Sequence, residues 1–393
     1  MTIAGAIPEM AANAAFAIRG ELLLGSGFEP GALVVRDGRI AEVRRASRDG
    51  DLPATIVEAE IVAPGLIDLQ VNGGYGVEVG ADPAALEVLA ERLPATGVTA
   101  YLPTIVSAEA GFYDRVIAAY ETARGATGAR ALGSHVEGPF LSPARRGAHR
   151  IEAIEAADDT LFEILLATED VRLLTLAPER PGALDRIERL RRRGVVVSLG
   201  HTDATLDELM AGVDAGATMA THLYNAMSPF RHRAPGAIGA VLTDDRLAIG
   251  LVADGVHSHP ASLRLALRAK GVERVALVTD MMAAAGMPPG EYALGGQRVT
   301  VDGVSARLGD GTLAGAILTL DQAVRNVVRW TETTPAAALR MASEIPATLL
   351  GVTDVGRLVA GARADLVLLD QDLQVRATLI GGRTVYQREE RPR

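Results

Sequence analysis

Short runs of apolar and β-branched residues recur along the chain. Each closes on polar residues, and most are followed by a stretch of helical periodicity. Eight such runs stand out: 61–70 (IVAPGLIDLQ), 98–106 (VTAYLPTIV), 129–138 (ARALGSHVEG), 171–179 (VRLLTLAPE), 195–203 (VVVSLGHTD), 217–225 (ATMATHLYN), 247–255 (LAIGLVADG) and 274–282 (RVALVTDMM). Amphipathic segments lie between them, as in ALDRIERLRRRG, where Leu184, Ile187 and Leu190 fall at helical spacing. Strand-then-helix units of roughly 30 residues, repeated eight times, predict a (β/α)8 TIM barrel, with a doubly wound open sheet as the alternative. The ends follow another pattern. GALVVRDGRIAEV holds two short strands joined at Asp37-Gly38, a hairpin signal, and 356–386 again alternates short apolar runs with Gly and Asp turns. The economical reading is a small β-sandwich domain built from 1–62 and 352–393 beside a barrel at 63–351. Two unrelated β tails are the other option. The stretch 312–350 is helix-like and is expected to close the barrel's outer layer.

In such a barrel, chemistry gathers at the C-terminal ends of the strands. Run one ends in Gln70 and Asn72, run three in His135 and Glu137, run five in His201 and run six in His222. Run seven is followed by Asp254 and His257, and run eight ends in Asp280. One carboxylate and two neutral imidazoles, Glu137, His201 and His222, suit a zinc-like divalent ion and leave a position open for water. Asp280 is then a candidate base, kept ionised by the nearby cation. That combination hydrolyses amides and similar bonds. Each residue also has a purely structural reading. His135 is read as a packed histidine rather than a ligand. His201 alone could cap a helix starting at Asp203, and Asp280 alone is an ordinary strand-end aspartate. His232 and His259 are read as loop residues without direct chemistry.

Composition narrows the picture. A net charge of −10 argues against nucleic acid or an acidic membrane surface as a bulk partner. The chain has no cysteine, which removes disulfides and thiolate metal sites and suits a cytoplasmic setting. No run of about 18 apolar residues offers a membrane span. Residues 1–20 make a poor leader peptide, with no positive charge before Arg19 and with Pro8 and Glu9 breaking the apolar run. Lys270, the single lysine, lies before run eight, toward the opposite end of the barrel, so a lysine bridging two metals is not on offer.

The stretches PGLIDLQVNGG, HVEGPFLSPARRGAH, LGHTDAT, THLYNAMSPFRHRAPGAIGA, GLVADGVHSHP, LVTDMMAAAGMPPGEY and GTLAGAILTLDQAVRN span most of the chain. Together they resemble the N-acetylglucosamine-6-phosphate deacetylases, a branch of the amidohydrolase superfamily. The resemblance implies a metal shell of Glu137, His201 and His222, catalytic Asp280, and His149 polarising the acetyl carbonyl. It implies Asn225 and Ala226 in a phosphate-binding turn, with His257 as a substrate contact near the phosphate. It also implies a homodimer in which Arg233 reaches the phosphate of the neighbouring subunit. Gln70 and Asn72 match the subset whose first strand lacks His-x-His, which implies one divalent ion per chain, Zn²⁺ with Fe²⁺ or another divalent ion as alternatives. Met281 departs from the usual alanine or glycine beside the aspartate. The implied reaction yields glucosamine 6-phosphate and acetate. A related N-acyl substrate, such as N-acetylgalactosamine 6-phosphate, is the enzymatic alternative, and a non-catalytic ligand-binding barrel is the alternative from another class.

Overall fold

The computed structural model describes residues 15–45, 52–80, 82–123 and 127–389. Most of the segment read as a poor leader peptide lies outside the described residues. Eight parallel strands form the barrel: Leu66–Val71, Val98–Val106, Ser134–Glu137, Val171–Leu176, Val196–Leu199, Met219–Ala220, Ala248–Leu251 and Val275–Leu277. They are barrel strands one to eight. The ring closes between the ends of strands one and eight. There the Asp280 N–H donates to the Gln70 carbonyl at 3.1 Å and the Asn72 N–H to the Met281 carbonyl at 2.9 Å. The predicted barrel is therefore present.

A second sheet of seven strands is built from both ends of the chain. Its order is Arg383–Gln387, Val375–Ile380, Leu366–Leu369, Ile56–Pro64, Phe16–Leu24, Gly27–Arg36 and Arg39–Arg45. It has its own apolar core around Ile18, Leu33, Val62, Leu366 and Leu379. The run 61–70, read as one barrel strand, is in fact divided. Residues 61–64 pair with Leu366–Leu369, and Leu66–Val71 pairs with barrel strand two. Gly65 stands at the division, where a Cβ would lie 2.1 Å from the Thr99 hydroxyl oxygen. No other residue type fits so close an approach.

Helices cover the barrel. In Ala183–Arg192 the buried face is Ala183, Ile187 and Leu190, whereas Leu184 is 42% exposed; the inward stripe starts one residue earlier than its sequence spacing suggested. Lys270 ends the helix Pro260–Lys270 and is fully buried. Its ammonium donates to the carbonyls of Val241 (2.9 Å) and Asp244 (2.6 Å), satisfying the end of the helix Gly236–Thr243. The 312–350 region supplies the helices Leu320–Trp330, Pro335–Met341 and Glu344–Leu349. One element has no place in the eightfold pattern: Gly290–Leu294, Gln297–Val301 and Ala306–Arg307 form a small antiparallel sheet after barrel strand eight. Among the described residues, no helix is long and apolar enough to cross a membrane.

Candidate metal centre and active site

Side chains two apart on a strand share a face. On barrel strand three this puts His135 one layer below Glu137, both pointing inward. Glu137 Oε1 lies 3.2 Å from His201 Nε2 and 2.9 Å from His222 Nε2, and the two Nε2 atoms are 3.1 Å apart. A zinc-like ion about 2.0–2.1 Å from each of three tetrahedral ligands would hold them about 3.3 Å apart. The triangle therefore matches a divalent ion with a position to spare. The ring of His201 is also set for it. Its Nδ1 faces the Arg145 carbonyl at 2.9 Å, so the proton sits there and the Nε2 lone pair faces the triangle. Among the described residues, this is the one group of three or more His, Asp or Glu side chains gathered closely enough to hold a metal. Burial works against the Glu137 charge, yet the imidazoles of His201 and His222 packed against it hold its carboxyl well below the usual carboxylate range. Against the same burial, Glu137 raises His222.

Several of these residues depart from ordinary backbone. His201 (φ 48°), His222 (φ 27°), Ala226 (φ 50°) and Asp280 (φ 53°) all lie at positive φ, which non-glycine residues seldom adopt. This is why run six, read as 217–225, keeps only Met219–Ala220 as strand: the chain turns out of the sheet at His222 and again at Tyr224 (φ 81°). Strain of this kind persists where surrounding packing dictates it, and here it turns the side chains over the barrel mouth. His201 does not cap a helix. The next helix, Leu206–Ala215, is capped by Thr205 with Glu208 in a reciprocal capping box.

Asp280 faces the triangle from barrel strand eight. Its Oδ1 accepts from Asn72 Nδ2 at 2.7 Å and from Gln70 Nε2 at 3.1 Å, and Gln70 Nε2 also lies 3.1 Å from Glu137 Oε1. Oδ2 lies 3.8 Å from His257 Nε2. Burial and the Glu137 charge push the Asp280 carboxyl up from its ordinary value, while the Asn72 hydrogen bond pulls it down. The expectation of an ionised base thus depends on a cation at Glu137, which would offset the repulsion. Beneath it, Asp68 is fully buried. It accepts from the Gln70 N–H, the Thr279 N–H (both 3.2 Å) and the Thr279 hydroxyl (2.6 Å), tying strand one to strand eight. Burial outweighs these bonds and pushes its carboxyl up to about 7.

His149 reaches the site from the loop after strand three. Its Nδ1 accepts from the Ser107 N–H at 3.2 Å and sits 2.8 Å from the Ser107 hydroxyl. The ring proton therefore lies on Nε2, which points inward, 3.9 Å from Glu137 Oε2. Burial, then the neighbouring His201, push this imidazole down to about 3, so it stays neutral. A neutral N–H donor aimed at the pocket can stabilise a developing oxyanion.

These groups line one pocket of about 350 Å³, the size of a small molecule rather than a polymer. Asn225, Ala226 and His257 line it as well. His257 is fixed by Asp254, 2.7 Å from its Nδ1, and stands beside Asp280. Arg233 does not line the pocket of its own chain. It is exposed, as are Phe230, Arg231 and His232. His135 is buried beneath Glu137 and hydrogen-bonded to Thr175 at 2.8 Å; burial pushes it down to about 4. His259 caps the helix Pro260–Lys270.

A model of the amidohydrolase family matches residues 61–385. The chain belongs to that family. It is 37% identical over 375 residues to an N-acetylglucosamine-6-phosphate deacetylase of Bacillus subtilis, covering 92% of this chain and 94% of that one. It is 41% identical over 358 residues to an N-acetylgalactosamine-6-phosphate deacetylase of Escherichia coli O157:H7, covering 89% and 93%. A crystallised N-acetyl-D-glucosamine-6-phosphate deacetylase mutant of Mycobacterium smegmatis, in complex with N-acetyl-D-glucosamine-6-phosphate, superposes with a TM-score of 0.86. It shares 34% identity over 95% of this chain and 99% of that one.

Some parts of this amidohydrolase site gave no signal in the sequence. Ser107 is one residue past strand two, and nothing local links it to His149, 42 positions away. Arg145 also lines the pocket, paired with Asp203 at 2.7 Å, but in sequence it is one of many arginines. Leu294, Thr312 and Leu313 reach the pocket from the insertion after strand eight and its return. Alternating apolar residues at Tyr292, Leu294, Val299 and Val301 were the available clue.

Proposed function

We propose that the chain hydrolyses the acetamide of N-acetylglucosamine 6-phosphate, releasing acetate and glucosamine 6-phosphate. One observation carries the reading. Three groups fit to hold a divalent ion, the Asp280 carboxylate and a neutral His149 N–H converge on one pocket. The similarity to deacetylases of phosphorylated N-acetyl sugars supports the substrate class. When bound, a divalent ion would supply a Lewis acid beside the acyl carbonyl and acidify water there. Glu137, His201 and His222 would hold it, and Zn²⁺ suits one carboxylate and two imidazoles.

The chain's own groups divide the remaining work. Asn72 and Gln70 occupy Oδ1 of Asp280, which leaves Oδ2 to take a proton from the attacking water. Asp280 then returns that proton to the departing nitrogen as the carbon–nitrogen bond breaks. His149 Nε2–H donates to the carbonyl oxygen as negative charge collects on it. Asn225, the Ala226 backbone and His257 would bind the phosphate end. The first-strand amides donate to Glu137 and Asp280 where a second cation would otherwise sit, which favours one ion per chain. Arg233 is proposed to act in a homodimer, reaching the partner's pocket; exposed Phe230, at 57%, gives the same loop an apolar contact for that partner. We place the protein in the cytoplasm.

Acetate release by purified, metal-replete protein is the test, with N-acetylglucosamine 6-phosphate, N-acetylgalactosamine 6-phosphate and unphosphorylated N-acetylglucosamine compared side by side. Strong preference for the first is expected. Equal rates on the unphosphorylated sugar would remove the phosphate site, and preference for the galacto epimer would reassign the substrate.

A further inference from the structure

Part of the pocket wall beside the reacting groups is apolar, and nothing in the proposed chemistry uses it. Val106 ends barrel strand two and lies directly across from Glu137 in the strand register. The next residue, Ser107, holds His149. Over Val106 sits the hairpin that follows strand eight. A Cβ built on Gly295 at its turn would lie 3.2 Å from Val106 Cγ2. Its neighbour Leu294 is buried in a separate apolar cluster with Val299, Val301 and Ala306, and Val106 packs against that cluster. Both Val106 and Leu294 line the pocket. The turn is tied down on two sides, since the Gly295 N–H donates to Glu78 and the Gln297 amide to the Ala148 carbonyl. The wall is thus braced rather than free to yield.

Strands two and three stand across the barrel axis from strands six and seven. The polar groups Asn225, Ala226 and His257 follow strands six and seven. If those groups take the phosphate end of the substrate, the acyl group held between Glu137 and His149 points its tail toward Val106 and Leu294. We propose that Val106 and Leu294 form an acyl stop, admitting a methyl group and excluding longer acyl chains. This inference rests on the deacetylase reading and adds a specificity to it.

The experiment compares N-acetyl-, N-propionyl- and N-butyrylglucosamine 6-phosphate as substrates for the wild type, Val106→Ala, Leu294→Ala and Val106→Leu. The wild type should favour acetyl. The two alanine variants should raise kcat/KM for propionyl or butyryl relative to acetyl by on the order of tenfold, the worth of about one methylene in a fitted pocket. Val106→Leu narrows the same space and should move the ratio the other way, toward acetyl. It also guards against an alanine variant that fails to fold. A wild-type protein that releases no acetate overturns the deacetylase reading, and the acyl stop falls with it. Acetate release with an acyl-length ratio that no variant shifts overturns the acyl stop alone.

Discussion

Asp68 offers a prediction whose size follows from the structure. It lies one layer beneath Gln70, fully buried, with its acceptor positions filled from Gln70 and Thr279. Burial pushes its carboxyl up to about 7 in the fold from an ordinary value of 3.8. At 1.36 kcal/mol per pH unit, that difference amounts to about 4 kcal/mol. The sign follows from proton binding. Between pH 4 and 7 the folded chain holds a proton that the unfolded chain has released, so stability falls as pH rises through this window and levels off above it. The full contribution is present only below the unfolded value. Asp68→Asn mimics the protonated acid: its carbonyl oxygen can accept from both backbone N–H groups, and its amide can donate to the Thr279 hydroxyl. That hydroxyl can turn to the Gln70 carbonyl, 3.2 Å away. Urea unfolding of both proteins from pH 5 to pH 8 is the assay. The stability of wild type relative to Asp68→Asn should fall by about 2–3 kcal/mol over that range, more than half of the total. Two profiles that stay parallel from pH 5 to pH 8 would refute the reasoning and show that the three donors, not burial, set the charge of Asp68.

Other consequences concern the site. Asp280→Asn should retain bound metal and lose roughly 10²–10⁴-fold in kcat, the usual worth of a general base; near-normal turnover would remove Asp280 from that role. His201→Ala should leave dialysed protein depleted of metal by elemental analysis, and full occupancy would mean that another shell holds the ion. Ser107→Ala removes the hydroxyl beside His149 Nδ1 but keeps the backbone donor, so kcat should drop by only roughly two- to tenfold; no change would mean the backbone bond alone orients the ring. Arg233→Ala should raise KM for the phosphorylated sugar without altering metal content, and mixing it with Asp280→Asn should restore some activity if the arginine serves the partner's pocket.

The gathering of these polar side chains at one end of the barrel was legible because they fall at strand ends. Glu137, His201, His222 and Asp280 each close an apolar run, and the period-two spacing of His135 and Glu137 already separates the buried layer from the upper one. The division at Gly65 was not legible. Residues 61–63 and 66–67 are apolar on both sides of Pro64-Gly65, and apolar residues carry no mark of which sheet each half will join. The short sixth strand escaped for a related reason: positive φ at His222 and Tyr224 is imposed by packing around the site, not by local preference. The hairpin over Val106 had no expected place, because an eightfold repeat requires nothing between strand eight and the closing helices.

The seven-stranded sheet has a consequence for how the chain is made. Its strand Ile56–Pro64 pairs on one side with Leu366–Leu369, and about 300 residues of barrel lie between them. At a synthesis rate of about 5–20 residues per second, the N-terminal strands wait some 15–60 s with that edge open. The barrel emerges during that interval, beside an unpaired edge able to accept a foreign strand. Chains interrupted before residue 366 keep the edge for good. A stalled ribosome or a C-terminal truncation would therefore yield a species that carries most residues of the candidate site and is nevertheless prone to aggregate.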